Sequence, residues 1–251
     1  MIEKKIHYCW FGGKEKPKLA QDCIESWRKF FPDYEIIEWN EENFDIACNA
    51  YCKEAYEAKK WAFVTDFVRL YVVYHHGGIY FDTDVEVIRS FEDVVDQAFY
   101  LGMESEGRIN TGIGFGAERR SPIVKAMLDQ YDYIHYVDPE GKENQTVCPV
   151  YNTRALKTLG AEFQKETIQF MGGTIYAVDY FSPIGLYDGK LRVTENTHSI
   201  HHFSNSWMST KQRIQKKMYR NFAQNVLYPL TKWIKKVLHV EGSLLHRCKL
   251  K

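Results

Sequence analysis

The run "WAFVTDFVRLYVVYHHGGIYFDTDVEVI", residues 61–88, constrains the fold more than any other stretch. Trp61–His76 has the length of a helix and almost no polar face, which predicts a helix buried on nearly all sides. Gly77-Gly78 suits a left-handed helix end. Ile79–Phe81 then reads as a short buried strand that stops at two carboxylates, Asp82 and Asp84, with Val85–Ile88 continuing beyond them. A buried helix followed at once by a buried strand needs further layers to cover both, so the chain must be layered α/β.

The flanking pattern agrees. Lys5–Trp10 and Tyr34–Trp39 read as strands around a helix at Lys18–Phe31, opened by Pro17. A helical region is expected over 42–59, with further helices at Pro122–Tyr136 and Pro149–Leu159. Phe99–Met103, Gly112–Phe115, Ile168–Phe170, Ile175–Val178 and Ser199–His202 are strand candidates. With 251 residues, 45% of them hydrophobic, the chain can bury a sizeable core. The expectation is a mixed, mostly parallel sheet, in which sites gather at the carboxyl ends of strands. Asp82 and Asp84 stand at such an end.

Four places could carry chemistry. An Asp-x-Asp pair is either a solvated turn or a seat for a hard divalent cation such as Mg²⁺ or Mn²⁺. Asp66 and Arg69 share one face of the apolar helix, where a charge must pair or meet a ligand. The segment "HSIHHFSNSWMS", residues 198–209, offers His201, His202, Asn205, Ser206 and Trp207 as metal ligands or phosphate donors, or is a plain polar loop. Trp10, at the end of the first strand, is a stacking platform or core. The Gly-rich nucleotide-binding patterns and the Gly-x-Ser-x-Gly elbow are absent from the sequence.

Charge divides the chain at about residue 207. Residues 208–251 hold 11 basic residues and one acid, Glu241, while the first 207 hold 22 basic and 32 acidic. Ile214, Met218 and Phe222, then Leu230, Trp233, Ile234, Val237 and Leu238, repeat at helical spacing beside Lys232, Lys235 and Lys236. This predicts a basic amphipathic helical tail, 208–251, with an affinity for an anionic surface. The six cysteines form no paired framework and are expected to be free, mostly buried thiols. The N-terminus lacks a signal-peptide apolar core, and no stretch reaches the ~20 apolar residues of a membrane span. The expected place is cytoplasmic, peripheral on the cytosolic face of a membrane.

Together "KIHYCWFGG", "WAFVTDFVRLYVVYHHGGIYFDTDV" and "HHFSNSW" resemble glycosyltransferase family 32 over about residues 4–207. That family includes yeast mannosyltransferases and bacterial capsular polysaccharide transferases. The resemblance implies a GT-A-type fold for residues 1–207, a nucleotide-diphosphate sugar donor, Mn²⁺ or Mg²⁺, and retention of configuration. It implies that Trp10 stacks on the base, with uracil favoured, and that Asp66 and Arg69 hold the donor sugar. Asp82 is implied on the ribose and sugar side, Asp84 on the metal, and His202 as a further ligand with Asn205 nearby. Ser206 and Trp207 are implied to bind the diphosphate. Asp82, Asp84 and Arg69 are the implied catalytic set. Where many relatives read Thr-Gly-Pro near the acceptor, this chain reads Val147-Cys148-Pro149.

The expected function is transfer of a hexose or N-acetylhexosamine from a UDP-sugar to a saccharide acceptor. A lipid-linked oligosaccharide of capsular or surface polysaccharide synthesis fits, with an anionic membrane bound through 210–251 and no nucleic acid partner. Two other readings stand beside it: a sugar-nucleotide phosphohydrolase, and a non-catalytic carbohydrate- or nucleic-acid-binding protein.

Overall fold

The computed structural model describes residues 1–105, 107–185 and 188–204. The expectations for Asn205, Ser206, Trp207 and the tail therefore lie outside the described residues. Among the described residues, those from Met1 to Ile184 and from Leu191 to Ser204 form one compact unit, to which all the elements below belong.

The strands are β1 (Lys5–Cys9), β2 (Glu35–Trp39), β3 (Gly78–Tyr80), β4 (Val85–Val87), β5 (Phe99–Ser105), β6 (Arg108–Ile109), β7 (Phe115–Ala117), β8 (Ile168–Phe170), β9 (Gly173–Tyr176) and β10 (Ser199–His201). The helices are α1 (Lys18–Phe30), α2 (Ala50–Glu57), α3 (Trp61–His76), α4 (Glu92–Val95), α5 (Pro122–Leu128), α6 (Cys148–Thr158) and α7 (Val178–Phe181). The main sheet runs β2-β1-β3-β7-β5-β9-β8, with β6 paired to β5. β1 is parallel to β2 and β3, and β5 to β9, while β7 and β8 run against their neighbours. This is the mixed, mostly parallel α/β sheet expected of a GT-A-type fold.

Alternation along the strands sends side chains into two cores, one on each face of the sheet. Tyr80, Phe99, Leu101 and Phe115 meet α2, α3, α5 and α6 on one face. Ile6, Tyr8, Ile79, Phe81 and Tyr100 meet α1 on the other. The apolar run 61–76 is α3 as expected, with Phe63, Val64, Phe67, Val68, Leu70, Val72 and Val73 buried. It turns back into β3 through Gly78, whose φ is +101° and whose absent Cβ would stand 2.7 Å from the Lys5 carbonyl oxygen. No other residue type fits that approach to β1 without moving the strand.

Three expected elements come out differently. The strand expected at Gly112–Phe115 begins at Phe115, because Thr111–Ile113 is a 3₁₀ turn capped by the Asn110 side chain. The helix expected over 122–136 stops at Leu128 and continues as 3₁₀ from Asp129 to Tyr133. The helical region at 42–59 resolves into a 3₁₀ turn, Ile46–Cys48, and α2, each started by a side-chain cap from Asp45 or Asn49. Polar caps at mid-segment override apolar spacing there. Among the described cysteines, all are free, and only Cys48 is exposed.

α1 also anchors the segment that follows the aspartates. The buried Trp27 indole donates to the Val85 carbonyl at 2.7 Å, and the Val87 N–H donates to Ser26 Oγ at 2.9 Å. β4 pairs with β10, brought from more than a hundred residues away. The stretch after β3 is thus gripped from both sides.

Candidate functional site

The parallel strands β1, β3 and β5 end on one edge of the sheet, and the residues beyond them converge there. β3 runs out at Tyr80, and Asp82 follows with its N–H donating to the Gly112 carbonyl at 3.3 Å. The Tyr80 hydroxyl donates to Asp82 Oδ1 at 2.9 Å. From α3, Arg69 Nη2 lies 3.2 Å from Asp82 Oδ1 and 3.1 Å from Asp66 Oδ1. The same guanidinium donates through Nε to the Thr65 carbonyl at 2.9 Å and through Nη2 to Thr65 Oγ1 at 3.0 Å. It also lies over the Tyr80 ring, 5.1 Å from its centre. Arg69 is thus a buried clamp on two carboxylates. The sequence left an ion pair and a ligand site open as alternatives; the ion pair is formed and reaches one step further, to Asp82.

Asp66 is itself buried, beside Cys148 at the start of α6. Burial raises its carboxyl to about 6, against the pull of the Arg69 charge. Burial also pushes the Asp82 carboxyl up, again opposed by Arg69. The Val147-Cys148-Pro149 departure thus lands inside the site. The Cys148 thiol sits between Arg69 Nη1 at 3.8 Å and Asn110 Oδ1 at 3.6 Å, and burial holds it well above the usual thiol range.

Asp84 faces the other way, toward β10. His201 Nε2 lies 3.2 Å from Asp84 Oδ1, and the Ser204 N–H donates to Asp84 Oδ2 at 2.7 Å. Burial works to raise the Asp84 carboxyl, but the charge and hydrogen bond of His201 and the Ser204 N–H hold it well below the usual range. Burial likewise works to lower the His201 pKa, and the Asp84 carboxylate raises it instead.

Asp82, Asp84 and His201 each present a ligand atom within 4.8 Å of the others. Two carboxylates and an imidazole suit a divalent cation of the Mn²⁺ kind. His201 Nδ1 is buried without a protein hydrogen-bond partner. The donor set therefore fits a metal.

The histidine that stands with the two aspartates is His201, beside the expected His202. The His202 side chain donates through Nε2 to Glu86 Oε2, 2.9 Å away. β10 pairs His201 with Val85 and Ile200 with Glu86, so alternation puts His202 on the face of Glu86. Asp84 lies in the turn before β4, outside that alternation: its carbonyl accepts from the His202 N–H at 2.9 Å while its carboxylate reaches His201. Trp10 stands where expected, just beyond β1, half-buried, with its indole N–H on the Lys14 carbonyl at 2.5 Å.

Sequence reasoning also passed over Asn110 and Gly112. The Asn110 side chain accepts from the Gly112 N–H at 2.7 Å and donates to Glu104 at 2.8 Å. A Cβ on Gly112 would stand 2.4 Å from Asp82 Oδ2 and 2.8 Å from Arg69 Nη1. The available signal was "NTGIGFG", residues 110–116, an Asn-x-Gly pair just before a strand that enters the site edge.

Residues 17–100, which include α3, β3 and both aspartates, match the family described as "Glycosyltransferase sugar-binding region containing DXD motif". This third of the chain thus carries the sugar-binding, Asp-x-Asp region of a glycosyltransferase. The glycosyltransferase is 27% identical over 139 aligned positions to "Subversion of eukaryotic traffic protein A" of Legionella pneumophila subsp. pneumophila strain Philadelphia 1, covering 44% of this chain and 21% of that protein. It thus spans about a fifth of the length of that curated relative. Among solved structures it is similar to "PaToxG Glycosyltransferase", at 19% identity, with 63% of this chain and 70% of that one covered and a TM-score of 0.48. It is also similar to the galactosyltransferase LgtC solved with donor and acceptor sugar analogues, at 14% identity, 88% and 95% coverage and a TM-score of 0.36.

Proposed function

We propose that this glycosyltransferase moves a hexose or N-acetylhexosamine from a nucleotide-diphosphate sugar, UDP the favoured nucleotide, to a saccharide acceptor with retention of configuration. The observation that carries this reading is the convergence of Asp82, Asp84 and His201 within 4.8 Å at the sheet edge, against the Arg69 clamp. Asp84, His201 and Asp82 would hold the metal, Mn²⁺ preferred over Mg²⁺ because one ligand is an imidazole. When bound, that cation supplies charge stabilisation for a diphosphate leaving group.

The remaining work falls to the chain's own groups. Arg69 keeps Asp66 and Asp82 in place and limits their repulsion. Asp84 is oriented by the Ser204 N–H before any ligand arrives. Trp10 at the end of β1 is assigned to the base, Asp66 and Asp82 to the sugar and ribose, and Ser206 with Trp207 to the diphosphate. Among the described residues we identify no carboxylate for double displacement, so the assignment is front-face substitution, with the leaving phosphate taking the acceptor proton.

The test is purified chain with Mn²⁺ and a panel of nucleotide sugars, scored for slow donor hydrolysis and for its stimulation by saccharides. Hydrolysis of at least one donor, stimulated by an acceptor, is expected. Turnover indifferent to every acceptor sides with a phosphohydrolase, and silence across the panel sinks the transferase reading. A trapped covalent glycosyl-enzyme overturns the front-face assignment.

The acceptor is assigned to lipid-linked oligosaccharides of capsular or surface polysaccharide synthesis, and residues 208–251 to the anionic cytosolic face of a membrane. Each basic residue near such a surface contributes about 1 kcal/mol. Among the described residues no helix is long and apolar enough to cross a membrane. Sedimentation with liposomes should depend on anionic lipid and be lost on deleting 210–251; indifference to both rejects the anchor.

A further inference from the structure

A groove of about 530 Å³ opens beside α6, lined by Gly107, Arg108, Pro149, Val150, Thr153, Arg154, Lys157 and Thr158. Among the described residues its lining holds three cations and no carboxylate. That is unusual on a body whose first 207 residues carry ten more acids than bases. A local positive patch on such a body attracts anions and repels none of its own ligands.

The groove adjoins the site at both walls. On α6, Pro149 follows Cys148, which stands between Arg69 and Asn110. On β6, Arg108 Nε lies 3.7 Å from Glu104, and Glu104 accepts from Asn110, which caps the turn over Asp82. The Ile109 N–H donates to Thr153 Oγ1 at 3.0 Å and ties the two walls together. From Pro149 to Thr158 the helix rises about 13 Å, the length of a short saccharide. Val150, Thr153, Arg154 and Lys157 recur at helical spacing on the groove side. The Arg154 fork is steadied by Gln130 at 2.8 Å and by the Tyr151 ring.

We propose that this groove is an acceptor subsite for a phosphate-bearing saccharide, whose phosphate is taken by Arg108, Arg154 and Lys157 while its sugar end reaches the carboxylate edge at Pro149. The assignment rests on the transferase reading and adds the substrate class to it. Arginine forks match phosphate oxygens in pairs, and an ammonium adds a point charge. The groove's volume suits a small ligand rather than a protein surface.

The test uses the full chain and calorimetric titration of glucose 6-phosphate, with and without UDP and Mn²⁺. Arg154→Gln/Lys157→Gln and the single Lys157→Gln change exposed residues of α6 and leave Glu104 and Asn110 untouched; melting temperature reports their folding. Binding of glucose 6-phosphate should persist when UDP is present. It should weaken at least tenfold in the double variant and less in the single one, with UDP affinity unchanged. Equal binding to parent and double variant, equal binding of plain glucose or inorganic phosphate, or competition with UDP overturns the subsite. UDP failing to bind at all strikes the donor reading instead, because the titration without UDP reads the groove by itself.

Discussion

His201 Nε2 stands 3.2 Å from Asp84 Oδ1, and neither group is placed there by its own strand alone. Asp84 lies in the turn after β3, and His201 ends β10, which pairs with β4 just past that turn. One residue on, His202 faces Glu86. The two histidines are neighbours in sequence with opposite surroundings.

That contrast yields the first prediction. His201→Ala should weaken Mn²⁺ binding by tenfold or more, and Asp84→Ala by at least as much. His202→Ala should change it less than threefold, on the order of a lost surface contact. Titration of free Mn²⁺ by electron paramagnetic resonance separates the three. Equal losses for His201 and His202 would return the ligand role to the position the sequence first suggested.

Arg69 should be the costliest single residue at this edge. Removing it leaves Asp66 and Asp82 with a buried partner missing, and breaking a buried pair typically costs about 3–5 kcal/mol. Arg69→Met should lower the urea midpoint accordingly. Adding Asp66→Asn to that variant should recover part of the loss, because an uncharged amide no longer needs the partner. A purely additive double variant argues against the clamp.

Gly112→Ala tests placement rather than charge. Its new methyl group would press on Asp82 and Arg69 from 2.4 and 2.8 Å. Overpacking of this kind costs about 1–3 kcal/mol of stability. A displacement approaching 1 Å can cost on the order of 100-fold in rate. Donor hydrolysis should therefore fall by about that factor while thermal melting stays cooperative. Unchanged turnover would mean that Asp82 can move without consequence.

His7 supplies a pH dependence remote from the metal ligands. It is fully buried in β1, with Nε2 2.8 Å from the Gly77 carbonyl and Nδ1 accepting from the Trp39 indole at 3.1 Å. Burial lowers its pKa from 6.5 to about 4. The unfolded chain therefore binds a proton that the folded chain refuses between those values. Stability is fully present above pH 6.5 and falls as pH drops toward 4, by about 3 kcal/mol for this group. His7→Gln should flatten that part of the stability–pH curve while lowering stability at neutral pH. A curve with unchanged slope between pH 6.5 and 4 assigns the acid sensitivity to other groups.

Much of this protein is decided by short-range sequence. The apolar run of α3, the glycine break and the carboxylates after β3 are local, so spacing alone places Asp66 with Arg69 and sets Asp82 and Asp84 at a strand end. Hydrophobic periodicity also announces the sheet and its covering helices, because buried faces need apolar residues at fixed intervals. Only the tertiary structure decides which histidine joins the aspartates, since the turn before β4 carries the Asp84 carboxylate to His201 while strand pairing leaves His202 beside Glu86, and the sequence shows both candidates equally. It alone brings Asn110, Gly112 and Cys148 to the Arg69 clamp, from a turn and a helix start that carry no spacing relation to residue 69. Local pattern fixes what each segment offers, and long-range packing fixes which offers meet.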